Sequence, residues 1–342
     1  MRTVARITLA ATAAACTTAV LTGPALAAST VTTLPFTAPA DVVATAGRVF
    51  VSGGRTATQI AVTDAAGVVT GSLDNLPGPT DLQLSLDRRT LFAALPSANA
   101  IVAFDTGTLR ETARYTTGPC PETLAVTGRH LWFGYGCGQW DSDLGRVDLR
   151  GSAGTVTLEL AGQKFFTPPL LATARANPGI LLVSDYGLSP ARLWAYTVST
   201  GGVLGPAGPG SYDPARGDVF DLALAPGGRT AYAAGAYRVQ RYAVTDLTQQ
   251  TGAYETGPFL QAMELTDSGT LLATAVEGAE VGRHLLVYRA GGTLLSDTTL
   301  AGSTGAIVAG ALTWSPDTRR LYTVTYDATE PADRAELHVV TR

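Results

Sequence analysis

The chain has 342 residues, of which only 15% are charged, and its formal net charge is −4. No cluster of Lys and Arg appears anywhere, so nucleic acid is not an expected partner and no polybasic element is present to hold anionic lipid. The 38 Gly, 19 Pro and 46% hydrophobic residues favour many short strands joined by turns.

The first residues have the three-part plan of a secretory signal peptide. Arg2 and Arg6 precede an apolar run from Ile7 to about Leu21, and the small-residue sequence Ala25-Leu26-Ala27 follows. The run is shorter than the roughly 20 apolar residues that span a bilayer, so no transmembrane segment is predicted. We therefore predict a signal peptide over residues 1–27 and a secreted protein, free or associated with the cell wall. The alternative is a lipid anchor on Cys16, although Ala13 stands where such signals carry a larger aliphatic residue.

Residues 28–342 carry an internal repeat. A hydrophobic pair that ends in an aromatic residue or Leu recurs with a spacing of about 40 to 50 residues, which is typical of four-stranded propeller blades. The recurring positions are Phe50, Phe92, Trp132, Leu182, Tyr232, Leu272 and Tyr322. An alternating strand and a polar turn precede most of them, and a second hairpin follows, so each repeat reads as four strands.

The last repeat lacks a fourth strand, because the chain ends at ELHVVTR. The segment Thr30 to Phe36, TVTTLPF, lies before the first repeat and has strand character. We predict that it pairs with the C-terminal strand and closes the ring, which removes exposed sheet edges. The predicted fold is an all-β, seven-bladed β-propeller of four-stranded antiparallel blades, in one domain over residues 28–342.

The repeats resemble those of bacterial YVTN-type and related surface-protein propellers. The resemblance is carried by AFDTGTLRETARYTTGPCPETLAVTGRHLWFG and SPDTRRLYTVT. Asp64 and Asp105 match the Asp that commonly ends the third strand in that family, and Gly118 to Pro121 matches its turn between blades. The resemblance implies a propeller and a surface location, and it implies little about chemistry.

Two cysteines remain after the signal peptide, Cys120 and Cys137. An even pair in an exported chain predicts a disulfide. In the predicted blade register both residues lie in turns on the same face, so their Cα atoms can approach the roughly 5.5 Å that a disulfide requires.

No catalytic signature is recognisable in the sequence. The three His are widely spaced, and no nucleophile elbow, phosphate loop or dinucleotide fingerprint is present. We therefore predict a non-catalytic binding or scaffolding propeller, which we expect to be a monomer. The alternatives are a lactonase-, lyase- or quinoprotein-like propeller enzyme, whose polar groups would converge on the channel, and a structural module related to larger surface proteins.

Four carboxylates start the first strand of their repeats: Asp41, Asp81, Glu122 and Asp221. In a propeller that strand lines the central channel, so these groups are candidate ligands for Ca²⁺, the one cofactor that the sequence suggests. The alternative is that they hydrogen-bond local backbone amides, as Asp and Glu near turns commonly do.

Two loops between second and third strands mix aromatic residues with carboxylates. GYGCGQWDSDLG supplies Tyr135, Trp140, Asp141 and Asp143, and DYGLSPARL supplies Asp185 and Tyr186. Such groups are suited to a carbohydrate, a peptide, another protein or a cationic ligand. Asp141 and Asp143 are a further candidate pair for calcium. The alternative is a packed loop rim without a ligand.

Overall fold

The structure is a computed structural model that describes residues 27–150, 154–205, 211–212, 217–278, 282–300, 305–327 and 334–342. Apart from Ala27, the predicted signal peptide, including Cys16, lies outside the described residues. Seven four-stranded sheets account for almost all of the regular structure, and the one helical element described is a single 3-10 turn at Pro96–Ala98. No helix in these ranges is long and apolar enough to cross a membrane.

Each sheet is an antiparallel blade, and in six of the seven the strands follow the chain order from the channel outwards. Blade one holds β2 (Val42–Ala44), β3 (Arg48–Ser52), β4 (Gln59–Asp64) and β5 (Val69–Asp74). Blade two holds β6 (Leu82–Leu84), β7 (Thr90–Leu95), β8 (Ala100–Asp105) and β9 (Glu111–Thr116). Blade three holds β10 (Pro121–Thr127), β11 (His130–Tyr135), β12 (Asp143–Asp148) and β13 (Thr155–Thr157). Blade four holds β14 (Leu170–Ala174), β15 (Asn177–Ser184), β16 (Arg192–Thr197) and β17 (Ser211–Tyr212).

The remaining blades follow the same plan. Blade five holds β18 (Asp221–Leu224), β19 (Thr230–Ala234), β20 (Arg238–Ala243) and β21 (Gln249–Glu255). Blade six holds β22 (Leu260–Leu265), β23 (Leu271–Gly278), β24 (Gly282–Arg289) and β25 (Leu294–Thr299). Blade seven holds β26 (Ala306–Trp314), β27 (Arg320–Asp327) and β28 (Arg334–Thr341), with β1 (Ala27–Thr33) as its outer strand. The predicted seven-bladed propeller is confirmed.

The core is divided between the blades. Among the described residues there are seven clusters of buried hydrophobic side chains, one for each pair of adjacent blades. In β3, Val49 and Val51 pack towards blade seven, whereas Phe50 packs towards blade two. Both sides of a middle strand are therefore buried, which is why the second strands are continuous hydrophobic runs. All seven recurring hydrophobic positions lie in these second strands and are buried.

The ring is closed by the pairing of β1 with β28, in which Val31 lies opposite His338 and Thr33 opposite Glu336. The strand spans Ala27–Thr33, so it begins earlier and ends earlier than the predicted segment Thr30 to Phe36. Beyond its end, the backbone N–H of Leu34 donates to the carbonyl of Ala335 at 2.8 Å. Leu34 and Phe36 are buried in the cluster between blades seven and one. The segment thus closes the ring both by strand pairing and by side-chain burial.

We predict that Phe36→Ala lowers the free energy of unfolding by about 3 to 5 kcal/mol, the usual cost of removing a buried aromatic side chain. Val31→Ala is the matched control, since Val31 lies in β1 with 40% of its surface exposed. The control is expected to change stability by no more than about 0.5 kcal/mol, as exposed positions usually do. Urea unfolding of the two variants tests the closure, and equal losses in both would contradict it.

Candidate functional site

The inner strands of the blades surround a central channel with a cavity volume of about 960 Å³. We call the face that carries the fourth-to-first and second-to-third strand connections the upper face, and the opposite face the lower face. The volume lies near the upper end of the range of small-molecule sites, roughly 300 to 1,000 Å³. The channel is therefore the candidate site.

Three of the four predicted carboxylates join neighbouring blades at the upper end of the channel. Each accepts a hydrogen bond from a backbone N–H on the inner strand of the next blade. These bonds run from Leu82 to Asp41 at 2.8 Å, from Leu124 to Asp81 at 2.6 Å, and from Met263 to Asp221 at 2.8 Å. Asp41 and Asp221 also accept the N–H of the residue that follows them, each at 2.7 Å. The alternative reading of the sequence was a hydrogen bond to a backbone amide of the same turn. The bonds to Leu82, Leu124 and Met263 instead join one blade to the next.

The carboxyl groups of Asp41 and Asp81 hydrogen-bond to each other across the boundary between blades one and two. Burial raises the pKa of Asp41 to about 7. Burial, and then the negative charge of Asp41, raise the pKa of Asp81 well above its ordinary value. Two carboxylates in contact cannot both ionise without strong repulsion. The pair therefore holds a proton at near-neutral pH.

A second pair of acids comes from blades five and six, on the other side of the ring. Burial raises the pKa of Asp221 to about 7. Glu264, on β22, lines the same channel, and burial followed by the charge of Asp221 raises its pKa well above the ordinary value. The channel thus holds acidic groups on two opposed walls.

Glu122 lies one residue before the blade position that Asp41, Asp81 and Asp221 occupy in their own blades. Asp81 accepts the N–H of Leu124, so the place equivalent to Asp81 in blade three belongs to Thr123, whose hydroxyl donates to the carbonyl of Pro169 at 2.6 Å. Glu122 instead forms an ion pair with Arg55, from the upper face of blade one. Burial raises the pKa of Glu122, and Arg55 opposes that shift. The Arg55–Glu122 ion pair spans blade two at the channel mouth.

The lower end of the channel is crossed by ion pairs. Asp267 pairs with Arg88 at 2.8 Å and with Arg175 at 3.4 Å. These residues come from the first-to-second strand turns of blades six, two and four, which are not neighbours, so the contacts pass across the channel axis. Arg175 also donates to the carbonyl of Leu86 in blade two. The lower end is braced and the upper end carries the acids.

The predicted disulfide between Cys120 and Cys137 is present, with a Cα to Cα distance of 5.3 Å. Cys120 precedes β10 and Cys137 follows β11, so both lie on the upper face as expected. Gly138 donates its N–H to Oδ1 of Asp141 at 3.0 Å, which folds the loop back on itself. The bridge therefore holds the loop that carries Trp140 and Asp141 against the channel rim.

Trp140 and Tyr186 are the accessible aromatic residues of the two predicted loops, with 55% and 40% of their surfaces exposed. The ring of Trp140 packs edge-on against the ring of Phe166 at 5.3 Å between centroids. The backbone N–H of Trp140 donates to the backbone carbonyl of Phe166 at 2.9 Å. The hydroxyl of Thr167 donates to the carbonyl of Tyr186 at 2.8 Å. The segment 166–167 thus connects both loops, and Tyr186 lines the channel mouth.

The other predicted loop residues are buried and hold the loops in shape. The hydroxyl of Tyr135 accepts the N–H of Glu159 at 3.1 Å. Asp143 is buried, accepts the N–H of Ala161 at 3.0 Å and pairs with Lys164 at 3.1 Å, whereas Asp141 is exposed. Asp185 is fully buried and pairs with Arg192 at 2.8 Å.

Three residues of the candidate site were not predicted from the sequence. Tyr237 and Phe259 are 60% and 52% exposed, and both lie in upper-face connections, before β20 and before β22. Together with Trp140 and Tyr186 they are the aromatic members of the exposed large hydrophobic side chains in the described part of the chain. Glu264 was also missed, since MELTDSG reads as an ordinary alternating strand and turn. The exposed Gly-Pro-Phe sequence before β22 was the available signal.

Within the described ranges, no three His, Cys, Asp or Glu side chains lie close enough to hold one metal ion. Most of the oxygens of the predicted calcium ligands accept backbone hydrogen bonds, as described above. Calcium binding stays a prediction, and an increase of the melting temperature on adding Ca²⁺ is the measurement that checks it.

No family model and no curated protein sequence matches the chain. Solved structures match it over nearly its whole length. A chain of the crystal structure of the mitotic checkpoint complex has a TM-score of 0.69 at 12% identity, over 100% of this chain and 99% of that one. Hydrazine synthase of Kuenenia stuttgartiensis gives 0.66 at 12% identity, over 91% and 97%. The β-propeller domain of Myceliophteria thermophila Cps50 (Swd1) gives 0.65 at 12% identity, over 92% and 100%. At such identities the likeness shows the fold alone: the chain is a seven-bladed β-propeller.

We predict that the double variant Cys120→Ser/Cys137→Ser lowers the free energy of unfolding by about 3 kcal/mol, because the bridge closes a loop of 17 residues. The unfolded, unreduced chain without its signal peptide should contain no titratable thiol. Denaturant unfolding and thiol titration are the measurements, and reduced wild-type protein should reproduce the stability of the variant. Detection of two thiols would contradict the bridge.

A second prediction concerns pH. A carboxyl whose pKa is higher in the folded than in the unfolded state stabilises the fold at low pH, and this contribution is lost as pH rises. For Asp41 and Asp221 the loss should run from about pH 4, the unfolded value, to about pH 7, the folded value. Asp81→Asn should make the fall in unfolding free energy less steep, since its amide can accept from Leu124 and donate to Asp41 without ionising.

The matched control is Asp246→Asn, because Asp246 is a solvent-exposed carboxyl whose pKa is lowered by its hydrogen bonds to Thr248. Asp246 is ionised across the measured range, so this variant should keep the slope of the wild type. Urea unfolding at several pH values compares the three proteins. A slope unchanged by Asp81→Asn would show that the Asp41–Asp81 pair does not hold the proton.

Proposed function

We propose that the protein is a secreted, non-catalytic binding propeller whose ligand binds on the upper face, at the mouth of the channel. The observation that carries the proposal is the coincidence of three features at one end: the open channel mouth, the exposed aromatic residues and the disulfide-held loop. Exposed aromatic side chains beside fixed polar groups suit a peptide or carbohydrate. Functional groups commonly lie on loops that a rigid scaffold positions.

Secretion is supported by the signal-peptide pattern of the first residues and by the Cys120–Cys137 disulfide, since disulfides persist in oxidising compartments. The likeness of the repeats to YVTN-type surface propellers supports a place at the bacterial cell surface or exterior. The proposal therefore assigns the mature chain to recognition outside the cell.

A propeller enzyme is the second candidate function, and the Asp41–Asp81 pair favours it. A carboxyl pair that holds one proton on a cavity wall can donate and accept protons during a reaction. The two candidates differ in one measurement. Turnover of lactones or uronate esters that Asp81→Asn abolishes, with folding intact, would favour the enzyme, whereas equilibrium binding that survives this substitution would favour the binding propeller.

The binding proposal predicts that upper-face aromatic residues control ligand binding. The labelled mature protein is applied to carbohydrate and peptide arrays, and each bound ligand is measured again with Trp140→Ala and Tyr186→Ala. We expect binding to weaken by about tenfold or more, as removal of an aromatic anchor commonly costs at least about 1.4 kcal/mol. Trp132, Trp194 and Trp314 are buried, so iodide quenching of tryptophan fluorescence reports on the exposed Trp140. A ligand bound at the upper face should therefore reduce that quenching.

The control is Leu294→Ala, because Leu294 is an exposed apolar residue, 50% accessible, and is the first residue of β25, at the lower-face end of that strand. It should bind every ligand as the wild type does. The proposal is wrong if Trp140→Ala and Tyr186→Ala both bind as the wild type does while Leu294→Ala loses binding. That result would place the ligand on the lower face.

A further inference from the structure

Strand β1 has an outer edge that no described strand covers. In the sheet of blade seven, β1 pairs with β28 on one side only. The other six blades also end in an outer strand. Proteins commonly protect such edges with charged side chains, irregular pairing or a short strand, each of which prevents pairing with another chain. The outer strand of blade seven can therefore be compared with its six counterparts.

Each of the six counterparts carries at least one of these protections. The described outer strands of blades three and four, β13 and β17, have only three and two residues. The other four contain charged residues, which are Asp74 in β5, Glu111 and Arg114 in β9, Glu255 in β21 and Asp297 in β25. The pairing of each of these four strands with its neighbour also shifts register.

Strand β1 has none of these protections. Its sequence, AASTVTT, contains no charged residue, no Pro and no Gly. It pairs with β28 residue for residue over positions 29–33, because the one register shift lies before Ser29. Thr and Val are β-branched residues that favour strands. Among the described outer strands longer than three residues, β1 is thus the only one that is both uncharged and regular over most of its length.

Backbone groups of alternate residues in β1 point out of this edge. In an antiparallel pair each residue directs its N–H and C=O to the same neighbouring strand, and successive residues alternate. The N–H of Leu34 donates to the carbonyl of Ala335, on the side of β28, so Thr32 and Thr30 also face β28. The residues that direct their N–H and C=O to the uncovered edge are Ser29, Val31 and Thr33.

Exposed apolar side chains lie on both sides of β1. Val31 is 40% exposed, and the side chains of Thr30 and Thr32 point to the opposite side of the sheet. On that side the hydroxyl of Thr30 donates to the carbonyl of Ala66 at 3.3 Å, which places the blade-one turn that carries Val68 against β1. Val68 is 58% exposed. A strand added at the edge therefore removes apolar surface from water as well as pairing backbone groups.

We propose that the outer edge of β1 pairs with the same edge of a second copy of this chain, in a two-fold symmetric antiparallel dimer. A two-fold axis at Val31 places Val31 of one copy opposite Val31 of the other, and Ser29 opposite Thr33. All the outward N–H and C=O groups of these residues then exchange hydrogen bonds. The edge suits its own copy because β1 has no charged residue to repel an identical strand. The proposal departs from the monomer expected from the sequence.

The size and position of this contact predict a reversible dimer. The pairing spans residues 29–33 in each copy, which buries less surface than the roughly 1,200 Å² of a stable interface. We therefore expect a dissociation constant above about 1 μM. Blade seven lies opposite blades three and four in the ring, so Trp140 and Tyr186 stay uncovered in the dimer. The inference is thus independent of the proposed binding function, and either can fail without the other.

Cysteine cross-linking tests the pairing and its register. In the variant Val31→Cys the two introduced residues lie directly opposite each other, with Cα atoms about 5.5 Å apart, which suits a disulfide. Mild oxidation of the folded mature protein should therefore give a covalent dimer. Thr30→Cys is the matched control in the same strand. Its two copies lie more than about 7 Å apart in the proposed register, so it should cross-link at least about tenfold more slowly.

Sedimentation velocity from about 1 μM to about 500 μM measures the dimer without a cross-link. Val31→Lys should weaken dimerisation by about tenfold or more, because it places two like charges opposite each other. Val203→Lys is the control for the same chemical change, since Val203 is 65% exposed and lies in blade four, on the far side of the ring. It should dimerise as the wild type does. Both variants should keep the melting temperature of the dilute wild type, because both positions are exposed.

Amide hydrogen exchange reports on the backbone groups themselves. The amides of Val31 and Thr33 should exchange freely in the dilute protein and become protected as its concentration rises. The amides of Thr30 and Thr32 should be protected at every concentration, because β28 holds them. Alternation along one strand would show that a second strand has been added at its edge.

The inference is overturned if the wild type stays a monomer at about 500 μM, if Val31→Cys and Thr30→Cys cross-link at the same rate, or if Val31→Lys and Val203→Lys dimerise alike. A dimer that Trp140→Ala abolishes and Val31→Lys does not would place the contact on the upper face, which also overturns it. Protection of the Val31 and Thr33 amides at every concentration would show that a single chain covers the edge, with the same consequence.

Discussion

The hydrogen bonds between β1 and β28 are the constraint on which the ring depends. A propeller blade is apolar on both sides, so each blade needs a neighbour on both sides, and the first and last blades find one only if the ring closes. The first and last described strands, β1 and β28, share blade seven, and the segment after β1 buries Leu34 and Phe36 between that blade and blade one. Closure also covers the outer edge of β28, which would otherwise be free to pair with another chain.

On the inner strands, the same carboxyl groups both hold neighbouring blades together and determine the charge of the channel. Asp41, Asp81 and Asp221 hold backbone N–H groups of the neighbouring blade, which opposes part of the cost of burying them. The remaining cost raises their pKa, so the channel carries protons rather than full negative charge near neutral pH.

The fold could be predicted from the sequence because the residues that repeat along the chain are the ones that each blade must bury. The second strand of each blade packs on both sides, so Phe50, Trp132 and Tyr322 recur at a regular spacing and mark the blades. The disulfide was predicted separately, from an even pair of cysteines in a chain with a signal-peptide pattern, and the blade register agreed with it by placing Cys120 and Cys137 on one face.

The site was only partly predictable, for two physical reasons. The pairing of β10 with β11 shifts register between Pro121 and Thr123, and this irregularity moves Glu122 out of line with the other carboxylates. Sequence spacing gives no sign of such a shift. Local composition also does not distinguish an exposed loop residue from one that folds back: Trp140 is exposed, whereas Asp143, three residues later, is buried as the first residue of β12.

The direction of the chain explains why the two ends of the channel differ. Every inner strand enters the blade from the upper face, so a residue at the start of that strand always lies at the upper mouth. Acids at this position therefore gather at one end, whatever blade they come from. Residues in the turn that ends the strand gather at the other end, where Arg88, Arg175 and Asp267 brace blades two, four and six. The brace holds these distant blades together at the lower face, whereas the Arg55–Glu122 ion pair and the Cys120–Cys137 disulfide hold the upper face, so separate contacts fix the two ends of the channel.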